Sequence, residues 1–303
     1  MLIARLLPPL LALVFAPLLL GIISRTKAVV AGRVGQPLLQ PYYDIWKLLQ
    51  KGAVYSSTTT WVFRAGPMVG LSTILVVLAL LPFGGIPALL AFPGDLVLFA
   101  YLLGLMRFFT VLAALDTGSS FEGMGASREV TFSALAEPAL FLGLAALARQ
   151  TGTFSLSPMF ENLTTESWIQ AGPAFVLLAA AFLVVFLTEN ARIPVDDPTT
   201  HLELTMIHEV MVLDHSGLDF AFILYSSALK LWLLGTLVVS ILVPVHQSAV
   251  WLNIAAALAG MVGLAVFTGL IESAMARLRL LHVPQLLIGA SVLATLALVL
   301  VLR

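Results

Sequence analysis

Eight apolar stretches, each long enough to cross about 30 Å of hydrocarbon as a helix, leave this 303-residue chain little choice of solvent. They run over 2–24, 67–89, 95–115, 130–149, 171–188, 221–243, 250–271 and 285–302. Only 10% of the residues are charged and 60% are apolar, against about 25% and under half in a soluble domain. Such an excess cannot be hidden in one soluble core, so a soluble enzyme, a nucleic-acid binder and a disordered chain are excluded. The fold expected is an all-α polytopic membrane protein, a single membrane domain over 1–303 with long inner loops at 25–66 and 189–220. The first stretch contains Pro8, Pro9 and Pro17. It reads as a retained span rather than a signal peptide, because the apolar run is long and no small-residue cleavage pattern follows. Prolines are tolerated there if neighbouring helices satisfy the carbonyls they free.

Orientation follows from the cations. With the N-terminus outside, Arg25, Lys27, Arg33, Lys47, Lys51, Arg64, Arg128, Arg192, Arg277 and Arg279 fall inside; Arg5, Arg149 and Arg303 fall outside. Both termini are then expected on the outer side of the cell inner membrane. The acids crowd the same inner side: Asp44, Asp116, Glu122, Glu129, Glu189, Asp196, Asp197, Glu203, Glu209, Asp214, Asp219 and Glu272. The positive-inside rule does not require that, because acids contribute little to topology. The inner face is where polar chemistry is expected. The chain has no cysteine, so it ligates no iron–sulfur cluster by thiolate and has no thiolate zinc site.

Both long loops carry helix signals. Tyr42, Ile45, Trp46 and Leu49 repeat as i, i+3, i+4, i+7 between Pro41 and Gly52, predicting a short amphipathic helix on the membrane surface or against a partner subunit. Asp197 and Pro198 form an N-cap and N1 pair, predicting a helix of about 15 residues. The G-M-G-A-S run at 123–127 lacks the lysine of a phosphate loop; it reads as a flexible turn, with Ser127 capping the fourth span.

His201, His208, His215, His246 and His282 all lie in loops or at span ends, which argues against a bis-histidine haem. His208-Glu209 is not followed by the second histidine of a zinc-protease motif. The seven-residue step from His201 to His208 reads as a hydrogen-bonded pair sooner than a metal site. Ionisable residues inside the spans are harder to dismiss. Arg107, Glu137 and Lys230 each cost about 2.5–3.5 kcal/mol at a helix centre and must find partners. Glu129, Glu189 and Glu272 stand at span ends. These groups form either static ion pairs or a hydrated proton path from the inner face; Glu189 and Arg192, three apart, are expected to pair with each other.

Three motifs carry a resemblance. R-T-K-A-V-V-A-G-R-V-G-Q-P-L-L-Q-P-Y-Y-D-I-W-K-L-L at 25–49 resembles the first inner loop of the complex I subunit 1 family. L-D-T-G-S-S-F-E-G-M-G-A-S-R-E at 115–129 with A-E-P at 136–138, and E-S-A-M-A-R-L-R-L at 272–280, resemble its hydrogenase-linked branch, that of formate hydrogenlyase and hydrogenase-4 type complexes. The resemblance covers nearly the whole chain. It implies a non-redox membrane subunit that anchors a soluble electron-transfer arm and couples it to proton or sodium translocation. The partners implied are hydrogenase-like large and small subunits, a ferredoxin-like iron–sulfur subunit and antiporter-like membrane subunits. Nickel–iron and iron–sulfur cofactors would all lie in those partners.

By position, the resemblance makes Glu129, Glu189, Asp196 and Glu203 relay candidates, and Lys230 matches a lysine of the hydrogenase branch. Arg107 and Glu137 join them from their place inside the spans. Thr199 and His201 stand where complex I has acids, and His201 is carried as a candidate relay in their stead. Arg25, Lys27, Arg33, Asp44, Lys47, Arg128, Arg192, Asp214, Arg277 and Arg279 are candidates for subunit docking. The alternatives are a quinone-site subunit of a complex I-like dehydrogenase, a stand-alone ion-coupled transporter and a purely structural anchor. Against the transporter, no repeated pair of Gly/Pro-broken helices is found.

Overall fold

The computed structural model describes residues 2–197, 206–244 and 249–303. Among them are eleven α-helices and no strand: α1 (Leu2–Arg5), α2 (Leu7–Val30), α3 (Gln40–Leu49), α4 (Trp61–Leu80), α5 (Asp95–Asp116), α6 (Ser120–Thr151), α7 (Leu156–Glu161), α8 (Thr165–Glu189), α9 (Gly217–Leu242), α10 (Val250–Ala274) and α11 (Val283–Leu302). The eight long apolar ones are α2, α4, α5, α6, α8, α9, α10 and α11, one for each expected span. The protein is a multi-pass, all-α membrane protein.

The α9 helix is central, packing on α2, α3, α4, α8 and α10. Its Trp232 is fully buried and meets the ring of Phe83 at 5.2 Å. Phe175, Phe186, Ile74, Leu144 and Leu147 fill the surrounding core. The prolines of α2 are accommodated in two ways. Pro8 and Pro9 open the helix, where a missing N–H leaves nothing unpaired. Pro17 lies inside it and would orphan the carbonyl of Leu13 four residues back; Tyr225 of α9 donates its hydroxyl to that carbonyl at 3.0 Å. Tyr42 of α3 donates likewise to the Val14 carbonyl and ties the surface helix to the same turn.

Helix boundaries differ from expectation where tertiary contacts decide them. The α4 helix begins at Trp61, six residues before the predicted start at 67. Thr60 caps it by accepting from Val62 N, and Asp116 at the end of α5 accepts from Thr60 N at 2.6 Å and Phe63 N at 3.2 Å. The predicted turn at 123–127 is instead helical, and Ser127 lies inside α6, whose N-cap is Ser119. Gly in a helix costs about 1 kcal/mol, but here Gly125 and Ala126 are buried, and their small size admits a neighbouring segment. The α3 helix forms as its stripe predicts, ending at Leu49 rather than at Gly52. Gly52 has another use: its carbonyl lies so close to Gly217 (φ +54°) that no side chain fits there.

The helix expected from Asp197 is not what the described residues show. Residues 198–205 lie outside the described residues, 206–208 are non-helical, and Glu209–Val212 form a 3-10 turn. The Asp196 carboxylate accepts the backbone N–H groups of Ile207 and His208, both at 3.1 Å, which turns that stretch away from helical pairing.

Replacing Tyr225 with Phe leaves the Leu13 carbonyl without its donor. The expected cost is about 1–3 kcal/mol, visible as a lower midpoint in thermal unfolding of the detergent-solubilised protein.

Candidate functional site

The ionisable residues singled out inside the spans meet at one place. Arg107 on α5 projects between α6 and α8, with its side chain 14% exposed. Its guanidinium bonds Glu137, pairs with Glu189 Oε1 at 2.5 Å and faces Glu129 Oε1 at 3.4 Å. Lys230 on α9 approaches the other oxygen of Glu189 at 2.7 Å. The planar fork of arginine suits this position, since it can address three carboxylates at once. A cavity of about 20 Å³ opens among Gly104, Arg107, Glu137, Glu189 and Lys230, room for about one water.

From Glu129 the chain of charges leaves the bundle toward the loops. His208 Nε2 lies 3.1 Å from Glu129 Oε2, and its Nδ1 lies 3.3 Å from Asp196 Oδ2. Arg277 completes the line at 3.0 Å from Asp196 Oδ1. A continuous sequence of polar contacts thus joins Arg277, Asp196, His208, Glu129, Arg107, Glu189 and Lys230, with Glu137 as a branch. Burial works against an imidazolium at 208, but the Glu129 and Asp196 carboxylates outweigh it and hold the histidine up at about 10. Burial would raise Asp196, and contact with His208 and Arg277 brings it below the ordinary aspartate value. Four carboxylates, Glu129, Glu137, Glu189 and Asp196, then face four cations, Arg107, Lys230, Arg277 and protonated His208. That balance is what lets so many charges share a poorly solvated site.

His208 is the member that sequence reasoning missed. Its spacing from His201 drew attention to a pair, whereas its partners lie 79 and 12 residues away on other elements. The other signal was Glu209 beside it, which suggested only a failed zinc motif. His201 and Glu203 lie outside the described residues. Arg192 does not pair with Glu189 as expected. It turns to Glu272 at 3.3 Å, and Lys27 of α2 takes the other oxygen of Glu272 at 2.8 Å. Glu189 is already committed to Arg107 and Lys230, which removes it from reach.

Of the docking candidates, Lys27, Arg192 and Arg277 have carboxylate partners within the chain. Arg25 and Arg128 donate to the carbonyls of Val34 and Met206. Arg33, Asp44, Lys47, Asp214 and Arg279 are exposed at the end of the bundle that carries α3 and the 3-10 turn. His215 provides a contrast to His208: it is buried flat against Phe63, with ring centroids 3.9 Å apart, and burial pushes it down to about 4. Among the described residues no three His, Asp or Glu side chains are grouped to hold a metal ion.

Fold and site together define a polytopic helical membrane protein with an ionic chain running from its loops into its bundle. Comparison with known proteins places it: the NADH dehydrogenase family profile matches residues 4–303, and the chain belongs to that family, the complex I subunit 1 family. It is 32% identical over 277 residues to formate hydrogenlyase subunit 4 of Escherichia coli (strain K12), covering 89% of both chains. It is 34% identical over 232 residues to hydrogenase-4 component C of the same organism, covering 77% of this chain and 72% of that one. A subunit of the membrane-bound sulfane sulfur reductase, an archaeal respiratory membrane complex, superposes with a TM-score of 0.83 at 20% identity, over 99% of this chain and 98% of that one. This last likeness is one of fold.

The site predicts a pH dependence with a definite sign. His208 is raised from its ordinary value near 6.5 to about 10. Its contribution to stability is therefore complete below about pH 6.5 and is lost as pH rises through about 10. Thermal midpoints of the solubilised protein should fall across that alkaline window, and His208→Gln should lower the midpoint at neutral pH and flatten the decline. An unchanged slope in His208→Gln would contradict the assignment.

Proposed function

We propose that this chain is the non-redox membrane subunit of a hydrogenase- or complex I-like respiratory oxidoreductase, anchoring the soluble electron-transfer arm and coupling it to ion translocation. The observation that carries this reading is the unbroken sequence of polar contacts from Asp196 through His208 and Glu129 to Arg107, Glu189 and Lys230. Static glue between helices needs only isolated pairs. The titratable members of the line, Asp196, His208, Glu129, Glu189 and Lys230, lead from the loops into a span and provide stops for a proton, with Arg107 as a fixed charge between Glu129 and Glu189.

The path enters from the inner face at Asp196 and His208, with Glu203 and His201 on the same loop as further entry candidates. Inside, Glu129 and Glu189 accept the proton, and Arg107 and Lys230 offset the charge that each carboxylate carries when it is empty. Glu137 is the outlet: its side chain is 41% exposed on the side of the bundle formed by α5 and α6. A carboxylate open at that depth requires a polar partner instead of lipid, and an antiporter-like membrane subunit supplies one in this reading. Protons are the ion assigned here, since the path is made of carboxylates, an imidazole and an amine around the fixed charge of Arg107; sodium is the alternative.

Its relatives are named as a subunit of formate hydrogenlyase and a component of hydrogenase-4, which supports assembly into a multi-subunit complex; the partners assigned in this reading are hydrogenase-like large and small subunits and a ferredoxin-like iron–sulfur subunit. Nickel–iron and iron–sulfur centres reside in those partners, since this chain has no thiolate to hold a cluster. The exposed Arg33, Asp44, Lys47, Asp214 and Arg279, with Arg25 and Arg128, form the docking face. In this reading the chain is one membrane domain of the cell inner membrane, with that face inside and both termini outside.

Glu129→Gln and Glu189→Gln in the native complex test the path. Redox-driven acidification by membrane vesicles should fall at least about tenfold in each, the size of effect expected when a proton-transfer group is removed. The redox subunits should still co-purify. Normal coupling in both variants would reject the relay and leave the ion pairs as structural.

A further inference from the structure

The segment 207–214 is held on α6 at two points two helical turns apart. At one, His208 reaches Glu129. At the other, the backbone N–H of Asp214 donates to Glu122 Oε1 at 3.0 Å. Glu122 and Glu129 are seven residues apart on one face of α6, about 10.5 Å at 1.5 Å per residue. The intervening segment contains the 3-10 turn Glu209–Val212. Ile207, Val210 and Met211 all lie against Gly125, between those two glutamates, so the turn lies along the helix with one carboxylate near each end.

Between the anchors the contact is apolar and tight. Val210 and Met211 are buried over Gly125, and a Cβ added there would strike the Val210 methyl and come within 2.9 Å of Met211 Cγ and the Ile207 carbonyl. This apolar cover separates Glu122 from Glu129, so Glu122 is not a next stop on the proton path. It is fully buried, and its bond to Asp214 fixes where the turn sits.

We propose that Glu122 is a positioning residue for the relay: by pinning Asp214, and with Gly125 admitting Val210 and Met211, it sets the register that keeps the His208 imidazole between Glu129 and Asp196. The inference rests on the relay reading given above. The charged groups around His208 are Glu129 of α6, with Arg107 of α5, Glu189 of α8 and Lys230 of α9 behind it. Asp196 lies on the opposite side, with Arg277 behind it, and Glu209 is its neighbour in sequence. Releasing the imidazole from its two carboxylates returns it toward its ordinary value, since they are what raises it.

The test uses the intact complex carrying Glu122→Ala, Glu122→Gln or Gly125→Val. Glu122→Ala and Gly125→Val should lower redox-driven acidification about three- to tenfold, the equilibrium cost of one hydrogen bond. They should also move the alkaline limb of its pH profile down by at least about one unit. Glu122→Gln keeps an oxygen for the Asp214 N–H and should restore both. A second readout does not depend on turnover. The chain has no cysteine, so Val210→Cys, buried in the parent, should resist a water-soluble maleimide alone and react when combined with Glu122→Ala. Impairment of Glu122→Gln equal to that of Glu122→Ala would overturn positioning in favour of direct proton transfer. An unmoved pH profile or an unreactive Val210→Cys in assembled Glu122→Ala complex would overturn it outright. If Glu129→Gln and His208→Gln still abolish coupling in that case, only the positioning role fails; if they too leave coupling intact, the relay reading has failed.

Discussion

The structure depends on the Arg107 guanidinium, a permanent charge buried among carboxylates from two helices. No arrangement of this bundle can leave it unpaired, because an ion without a partner in a poorly solvated interior costs several kcal/mol. Glu137, Glu189 and Glu129 are therefore drawn to it, and they position α5, α6 and α8 around one point. Their negative charge in turn requires Lys230 from α9 and His208 from the loop. One obligatory cation thus brings together four helices and the segment that connects α8 to α9. The compensation is shared, so a change of protonation at one member alters the electrostatic need of its neighbours. A site with this property is suited to passing a charge along, whereas isolated pairs would hold helices together without that sensitivity.

Much of this was readable before the structure. The bilayer sets a strong length rule, so the eight spans follow from hydropathy, and Arg107, Glu137 and Lys230 stand out because the membrane makes each expensive. What the sequence could not specify was pairing. Glu189 and Arg192 are near neighbours on paper, but Glu189 is taken by Arg107 and Lys230, and Arg192 finds Glu272 eighty residues away. No local sequence pattern links His208 to Glu129 and Asp196. The start of α6 is hidden for a related reason: glycines at 123 and 125 signal a turn, and only the packing of Val210 and Met211 explains the glycine at 125 inside that helix. Propensity and spacing are local, and these features are tertiary.

Family membership and geometry answer different questions. The family profile and the similarity to formate hydrogenlyase subunit 4 say what kind of chain this is. The geometry says which atoms are in line. Both bear on the proposed coupling role, and with no cysteine this chain cannot itself ligate a redox centre by thiolate. The surface helix α3 and the loop basic residues belong to the same end of the bundle as His208, so a soluble arm docked there would sit at the mouth of the ionic chain.

The central claim is that carboxylates of this chain change protonation when the complex turns over. Infrared difference spectra of the membrane-embedded complex between its oxidised and reduced forms test it most directly. The account predicts a protonated-carboxyl band that shifts when glutamate is isotopically labelled and disappears in Glu129→Gln. Difference spectra without any carboxyl band, or with one unaltered by Glu129→Gln, would contradict it.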